Sequence, residues 1–133
     1  MTTLTAGPTP GQRIHARRRV EELLTLCQHL PAPQRLLVEQ RFRAGLDATQ
    51  MARMSGCDPR RLQRRLRSLI RRVRHPLFAY LVTHGPLLPP DCRRVGEAVV
   101  FRGLSLRAAA RELRLSLHAV RQQMRALRIW ARQ

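Results

Sequence analysis

Apolar residues recur at the three- and four-residue spacing of an α-helix over most of the chain, and no stretch alternates as a β-strand does. The spacing predicts a first helix over 13–29 and a second over 32–44, which Gly45 ends. In the second helix, Leu36 and Leu37 are expected to face the core. Together with the elements below, these helices predict an all-α fold.

Two helices joined by a tight turn follow in the sequence. Asp47, with Gln50 three residues later, predicts a capping box at the start of the first of them. Its residues expected to turn inward are Met51, Ala52 and Met54. Asp58-Pro59 combines an N-cap oxygen with proline at the first helical position, which predicts a last helix that continues to about Arg74.

The same order of features occurs a second time. A shift of 58 residues places Leu30-Pro31 on Leu88-Pro89 and keeps core positions in register, which indicates an internal duplication. The second copy predicts helices over 76–84 and 90–102, a third over 106–113 that Ser105 caps, and a last helix that Ser116 caps. The predicted organisation is two tandem four-helix units, 13–74 and 75–133, packed together behind a disordered arm over 1–12.

Each predicted unit ends in two helices joined by three or four residues, which is the helix-turn-helix pattern. In that motif the second helix enters the major groove of DNA and its outward side chains contact bases and phosphates. The last helix of the first unit has six residues outside its apolar stripe that are candidates for DNA contacts, namely Arg60, Arg61, Gln63, Arg64, Arg67 and Ser68. The second unit leaves His118, Ala119, Arg121, Gln122 and Arg125. A merely solvated charged face is the alternative in both.

Three further arginines are candidates for phosphate contacts, namely Arg35, Arg93 and Arg107. For Arg35 and Arg93 an equal alternative is that their alkyl chains only cover apolar surface.

Charge strengthens the case for a nucleic-acid partner. The chain has 26 basic residues, all of them arginine, against 8 acidic ones, for a formal net charge of +18. A GC-rich genome could explain the missing lysine but not the excess of charge. Arginine pairs with phosphate oxygens and with guanine, whereas only 4% of the residues are aromatic and could stack on unpaired bases. Double-stranded DNA is therefore the expected partner.

Other classes of function have little support in the sequence. The carboxylates are scattered, so no catalytic site is expected, and no Cys/His spacing predicts a metal site or a cofactor. Cys27, Cys57 and Cys92 are expected to be buried, reduced thiols. No membrane-length apolar run and no signal-peptide pattern occur, so we expect a cytoplasmic, nucleoid-associated protein.

One family resemblance rests on the segment from Gly103 to Arg128, GLSLRAAARELRLSLHAVRQQMRALR. It resembles the region 4 helix-turn-helix of bacterial factors of the sigma-70 family, with the supporting positions Leu88-Pro89, Arg93, Gly103-Leu104-Ser105, Ala110, Leu113 and Val120. The first unit is similar but departs where Asp47 and Ser55 replace a serine and a leucine. The resemblance implies recognition of promoter-type DNA, with contact to RNA polymerase as a further implication. A chain of this length has no room for the other sigma domains.

The sequence thus predicts a non-enzymatic, bacterial-type transcription regulator whose two units bind successive major-groove faces, about 34 Å apart if they imitate a dimer. Two alternatives are a sigma-like accessory protein that binds RNA polymerase and a non-specific architectural protein that binds nucleic acid by charge. The sequence leaves open whether two copies of the chain also associate as a homodimer.

Overall fold

The computed structural model describes residues 7–133. This part of the chain forms eight α-helices and no β-strand, which confirms the all-α prediction. The helices are α1 (Pro10–Leu26), α2 (Ala32–Phe42), α3 (Ala48–Ser55), α4 (Pro59–Arg74), α5 (Pro76–His84), α6 (Pro90–Gly96), α7 (Leu106–Leu113) and α8 (Leu117–Ala131).

Helix α1 begins three residues earlier than predicted. The Thr9 hydroxyl accepts a hydrogen bond from the Gln12 backbone N–H at 3.1 Å, and the Gln12 side chain accepts one from the Thr9 N–H at 2.8 Å. This capping box, followed by Pro10, starts the helix within the predicted arm. The prediction of a disordered 1–12 is therefore wrong for residues 10–12, and its first six residues lie outside the described range.

The backbone repeats its hydrogen bonds 58 residues apart. Three backbone hydrogen bonds of the first half have counterparts of nearly equal length in the second, all between 3.0 and 3.2 Å. The matched donor and acceptor residues are Leu30 to Cys27 with Leu88 to Gly85, Ala44 to Glu39 with Arg102 to Glu97, and Cys57 to Ala52 with Leu115 to Ala110. The left-handed glycines Gly45 and Gly103 are also 58 residues apart, at φ of 70° and 73°. The 58-residue repeat in the sequence is therefore also a repeat of local backbone structure.

The predicted helix over 90–102 has a different form. Helix α6 ends at Gly96, and a wider π-helical turn continues over Glu97–Phe101. The four residues 98–101 are all apolar and all at least half-buried, whereas a regular surface helix would expose about one side of such a run. Gly96, directly before this turn, packs closely on α5, since a Cβ there would lie 3.1 Å from a Leu81 methyl group.

One hydrophobic core runs through both predicted units. It includes Leu24 and Leu69 from the first half with Phe78, Val95 and Leu127 from the second. A small satellite cluster lies between α3 and α4 and consists of Met51, Ala52 and Leu62. The two halves therefore pack together as predicted, with α5 in contact with α1, α4 and α8.

Two predicted core residues are on the surface instead. Leu36 is 54% exposed and Met54 is 68% exposed, so the expectation that they turn inward is wrong. Leu37 and Val38 supply the inward face of α2, and Met51 and Ala52 supply that of α3. Phe42 also packs against the core from the end of α2.

A polar contact also joins the halves, and we call it the Arg72 seam. The half-buried Arg72 guanidinium of α4 donates to the Gln34 side chain of α2 and to the Phe101 carbonyl oxygen, the latter at 3.2 Å. The Gln34 amide in turn donates to the Arg102 carbonyl oxygen at 3.3 Å. A Cβ at Gly103 would displace the Arg72 guanidinium from the seam, and the positive φ of Gly103 favours glycine there as well.

Candidate nucleic-acid interface

The pair α3 and α4 is joined by only three residues, Gly56, Cys57 and Asp58. Gly56 adopts a left-handed conformation, with φ of 70°, and ends α3. The Asp58 carboxylate then accepts the Arg61 backbone N–H at 3.2 Å and caps α4. The turn thus ends α3 and starts a well-capped second helix, as the sequence predicts.

The pair α7 and α8 repeats this turn with different residues. Arg114 stands at the left-handed position, with φ of 57°, and it is the only non-glycine residue with positive φ in residues 7–133. Ser116 accepts the Ala119 backbone N–H at 3.0 Å and caps α8. The predicted caps Asp47 and Ser105 of the preceding helices are observed as well.

The outward face of α4 is strongly basic. All six predicted residues on it are exposed, namely Arg60, Arg61, Gln63, Arg64, Arg67 and Ser68. Helix α4 has eight arginines and no acidic residue after its Asp58 cap. No ion pair within residues 7–133 involves any of these arginines. An uncompensated row of guanidinium groups on one helix can bind several phosphate oxygens at once.

The outward face of α8 is more mixed. His118, Arg121, Gln122 and Arg125 are exposed as predicted, whereas Ala119 is half-buried and is less accessible than predicted. Val120, Met124 and Leu127 form the buried face of this helix. Helix α8 therefore combines hydrogen-bonding side chains of several kinds with fewer positive charges than α4.

The three predicted phosphate contacts have different surroundings. Arg93 donates to Glu97 at 2.8 Å, and Arg35 lies 3.8 Å from Glu39, so each has a carboxylate partner four residues later. Such surface pairs are weak and can exchange a carboxylate for a phosphate at little cost. Arg107 is exposed and has no acidic partner in the described part of the chain.

The predicted site omits several residues that belong to the same surface. Arg65, Arg71 and Arg74 are exposed on α4, and helical spacing could have identified them, since Arg65 is four residues after Arg61 and Arg71 is four after Arg67. Arg128 could likewise have been found on α8, because it follows Arg121 and Arg125 along the helix. Their addition makes the basic surface longer than the predicted one.

A shallow groove of about 390 Å³ lies where α4 and α8 come together. Its rim includes Arg71 and Arg72 of α4 and Arg128 of α8, and its floor includes Val100 and Met124. The C-terminal halves of the two helices therefore flank one groove.

Burial changes the acid-base properties of a few groups. Desolvation lowers the pKa of the Arg72 guanidinium, whereas the Glu112 carboxylate raises the pKa of Arg102 by hydrogen bonding and by its charge. Burial, with a smaller contribution from the Glu39 charge, raises the pKa of the Cys27 thiol to about 11. Cys27 and Cys92 are buried as predicted, but Cys57 is exposed in the turn before α4, so the prediction for it is wrong.

Within residues 7–133, no group of three or more His, Cys, Asp or Glu side chains is placed to hold a metal ion. None of the described helices combines the length and the apolar character needed to cross a bilayer.

Comparisons with protein-family models, with curated proteins and with solved structures find no match to this chain.

Proposed function

We propose that the protein is a transcription regulator that binds double-stranded DNA with two tandem helix-turn-helix units. The observation that carries this proposal is the exposed, unpaired arginine face of α4, placed after a tight capped turn. That combination is the one by which a recognition helix binds phosphates and base edges in the major groove. The resemblance to region 4 of sigma factors points to the same partner.

The two helices are suited to different parts of the interaction. Phosphate contacts add affinity without sequence information, and α4 has the higher density of arginine. Gln122 and Arg121 of α8 can make paired hydrogen bonds to adenine and to guanine. We therefore assign mainly backbone binding to α4 and base reading to α8. On this proposal the protein acts on the chromosome in the cytoplasm.

The salt dependence of binding tests the proposal. With a target duplex selected from a random pool, the logarithm of the affinity should fall steeply as the logarithm of salt concentration rises. Arg64→Gln should lower the slope by about 0.9, the contribution of one phosphate, and should weaken all sequences alike. Gln122→Ala leaves the charge unchanged, so it should leave the slope unchanged and lower the preference for the selected duplex by about 1 to 3 kcal/mol.

Arg132→Gln, an exposed arginine after the end of α8, is the matched control for the lost charge. A flat salt dependence of the wild-type protein would contradict DNA binding. Equal loss on all sequences with Gln122→Ala would favour a non-specific architectural protein. Capture of core RNA polymerase from nuclease-treated lysate, together with a flat salt dependence, would favour the sigma-like accessory protein instead.

A further inference from the structure

The first ten residues of α1 project from the body of the molecule. Every residue from Pro10 to Arg19 is exposed, and the buried residues of this helix, Leu23 and Leu24, lie in its C-terminal half. That half anchors α1 against α2, α4 and α5. At 1.5 Å per residue, the exposed part extends for about 15 Å.

The projecting part has an unfavourable distribution of charge for a helix in isolation. It contains Arg13, Arg17, Arg18 and Arg19, and the sequence has no acidic residue before Glu21. The positive end of the helix macrodipole therefore lies next to positive side chains, while the acidic residues follow them. Arg13 and Arg17, four residues apart, also repel each other. These terms all oppose helix formation.

Apart from the capping box of Thr9 and Gln12, few contacts within the protein compensate for this repulsion. Glu21 and Glu22 are within one helical turn of Arg17 and Arg18, yet no ion pair in residues 7–133 joins them. Arginine before glutamate is also the weaker order for such pairs. No core contact stabilises residues 10–19, and a free helix of about ten residues is marginal in water. A polyanion along this helix would remove the repulsion and satisfy the guanidinium groups.

We propose that residues 10–19 of α1 form a third DNA-binding element that contacts phosphates beyond the reach of α4 and α8. This inference rests on the proposed DNA binding and extends its surface. Four arginines within seven residues place one positive charge per about 2.6 Å of helix, between the spacing of about 3.4 Å per charge on one DNA strand and about 1.7 Å on the duplex. Ile14 is the only large apolar residue of the segment, which is too little apolar surface to enter a membrane.

The test compares two triple variants of the full chain on a random-sequence DNA duplex. Arg13→Gln, Arg17→Gln and Arg18→Gln together should lower the salt slope by about 2 to 3, since each phosphate contact contributes about 0.9. The same variant should keep or raise the helical content of the free protein, because it removes repulsion. The charge-matched control combines Arg43→Gln, Arg111→Gln and Arg132→Gln, and its slope should fall by less than one.

A second measurement follows trypsin cleavage, which occurs after arginine. In the free protein we expect cutting first between Arg13 and Arg19, and the duplex should protect these bonds in the wild type.

Several outcomes would overturn the inference. Equal slopes for the two triple variants would do so while leaving the proposed function intact, provided that Arg64→Gln lowers the slope. Binding of the α1 segment to anionic phosphatidylserine vesicles but not to the duplex would assign it to lipid instead. A different result would separate the two proposals. If the α1 triple variant lowers the salt slope but Gln122→Ala does not change the preference for the selected duplex, the third DNA-binding element is supported and base reading by α8 is contradicted.

Discussion

Arg114 matches a glycine, Gly56, in the first half of the chain. The two residues are 58 positions apart, and both end a helix in the left-handed conformation, with φ of 57° for Arg114 and 70° for Gly56. For a residue with a Cβ this conformation costs roughly 1 to 2 kcal/mol. The strain is tolerated in a turn that precedes one of the two proposed recognition helices.

Arg114→Gly should therefore stabilise the protein, by up to about 1 kcal/mol because glycine loses more chain entropy on folding. Urea unfolding of the purified variant measures the change. Arg111→Gly on the neighbouring helix α7 is the contrasting control and should destabilise by about 1 kcal/mol. A loss of stability for Arg114→Gly would show that the arginine side chain makes a contact that outweighs its backbone strain.

Single residues also show which features the sequence predicts well and which it does not. The local patterns predicted the caps Asp47, Asp58, Ser105 and Ser116 correctly, because a cap depends on neighbours within three residues. They failed for Met54 and Cys57, which are exposed. The burial of an apolar side chain depends on which elements pack over it, and the spacing within one helix does not contain that information.

At the scale of elements, α4 and α8 hold matching places in the 58-residue repeat but have different outward side chains. A shift of 58 places His118 on Arg60, Arg121 on Gln63 and Gln122 on Arg64. All of these positions are exposed, so exchanges among them leave the core untouched.

Placing the outward residues of α8 on α4 tests whether α4 binds mainly phosphates while α8 recognises bases. The variant combines Arg60→His, Gln63→Arg and Arg64→Gln, and it removes one positive charge. We expect the salt slope to fall by about 0.9 and the selected DNA sequence to gain a second copy of the α8 preference. An unchanged selected sequence, with the salt slope reduced as expected, would indicate that α4 does not approach base edges.

The elements themselves were predictable to within a few residues, since helical periodicity and proline positions are local signals. The π-helical turn over Glu97–Phe101 was not predictable, because it depends on distant contacts: its last residue, Phe101, packs on His29 of the first half and on Phe78 of the second. The early start of α1 was missed for a different reason. Its capping box of Thr9 and Gln12 lies in a segment whose composition indicated disorder.

At the scale of the whole molecule, the Arg72 seam joins α2, α4 and the π-helical turn. The sequence could not have identified it, because its partners Gln34 and Phe101 are 38 and 29 residues away from Arg72. On sequence alone Arg72 is one more arginine of a basic helix.

Arg72→Met keeps the length of the side chain but removes its hydrogen bonds across the seam. We expect a loss of about 1.5 to 3 kcal/mol, the usual contribution of hydrogen bonds to a charged group. The neighbouring exposed Arg71→Met is the matched control and should stay within about 0.5 kcal/mol of the wild type in urea unfolding. Equal effects of the two substitutions would contradict a structural role for the seam.

The repeat of 58 residues has a consequence for symmetry. A regulator made of two identical chains has a twofold axis and can sit on a palindromic site in two equivalent ways. Here the two copies differ in sequence and follow each other in one chain, so no operation exchanges α4 with α8. A DNA site bound by both would have distinct left and right halves, and the bound protein would point along the duplex in one direction only.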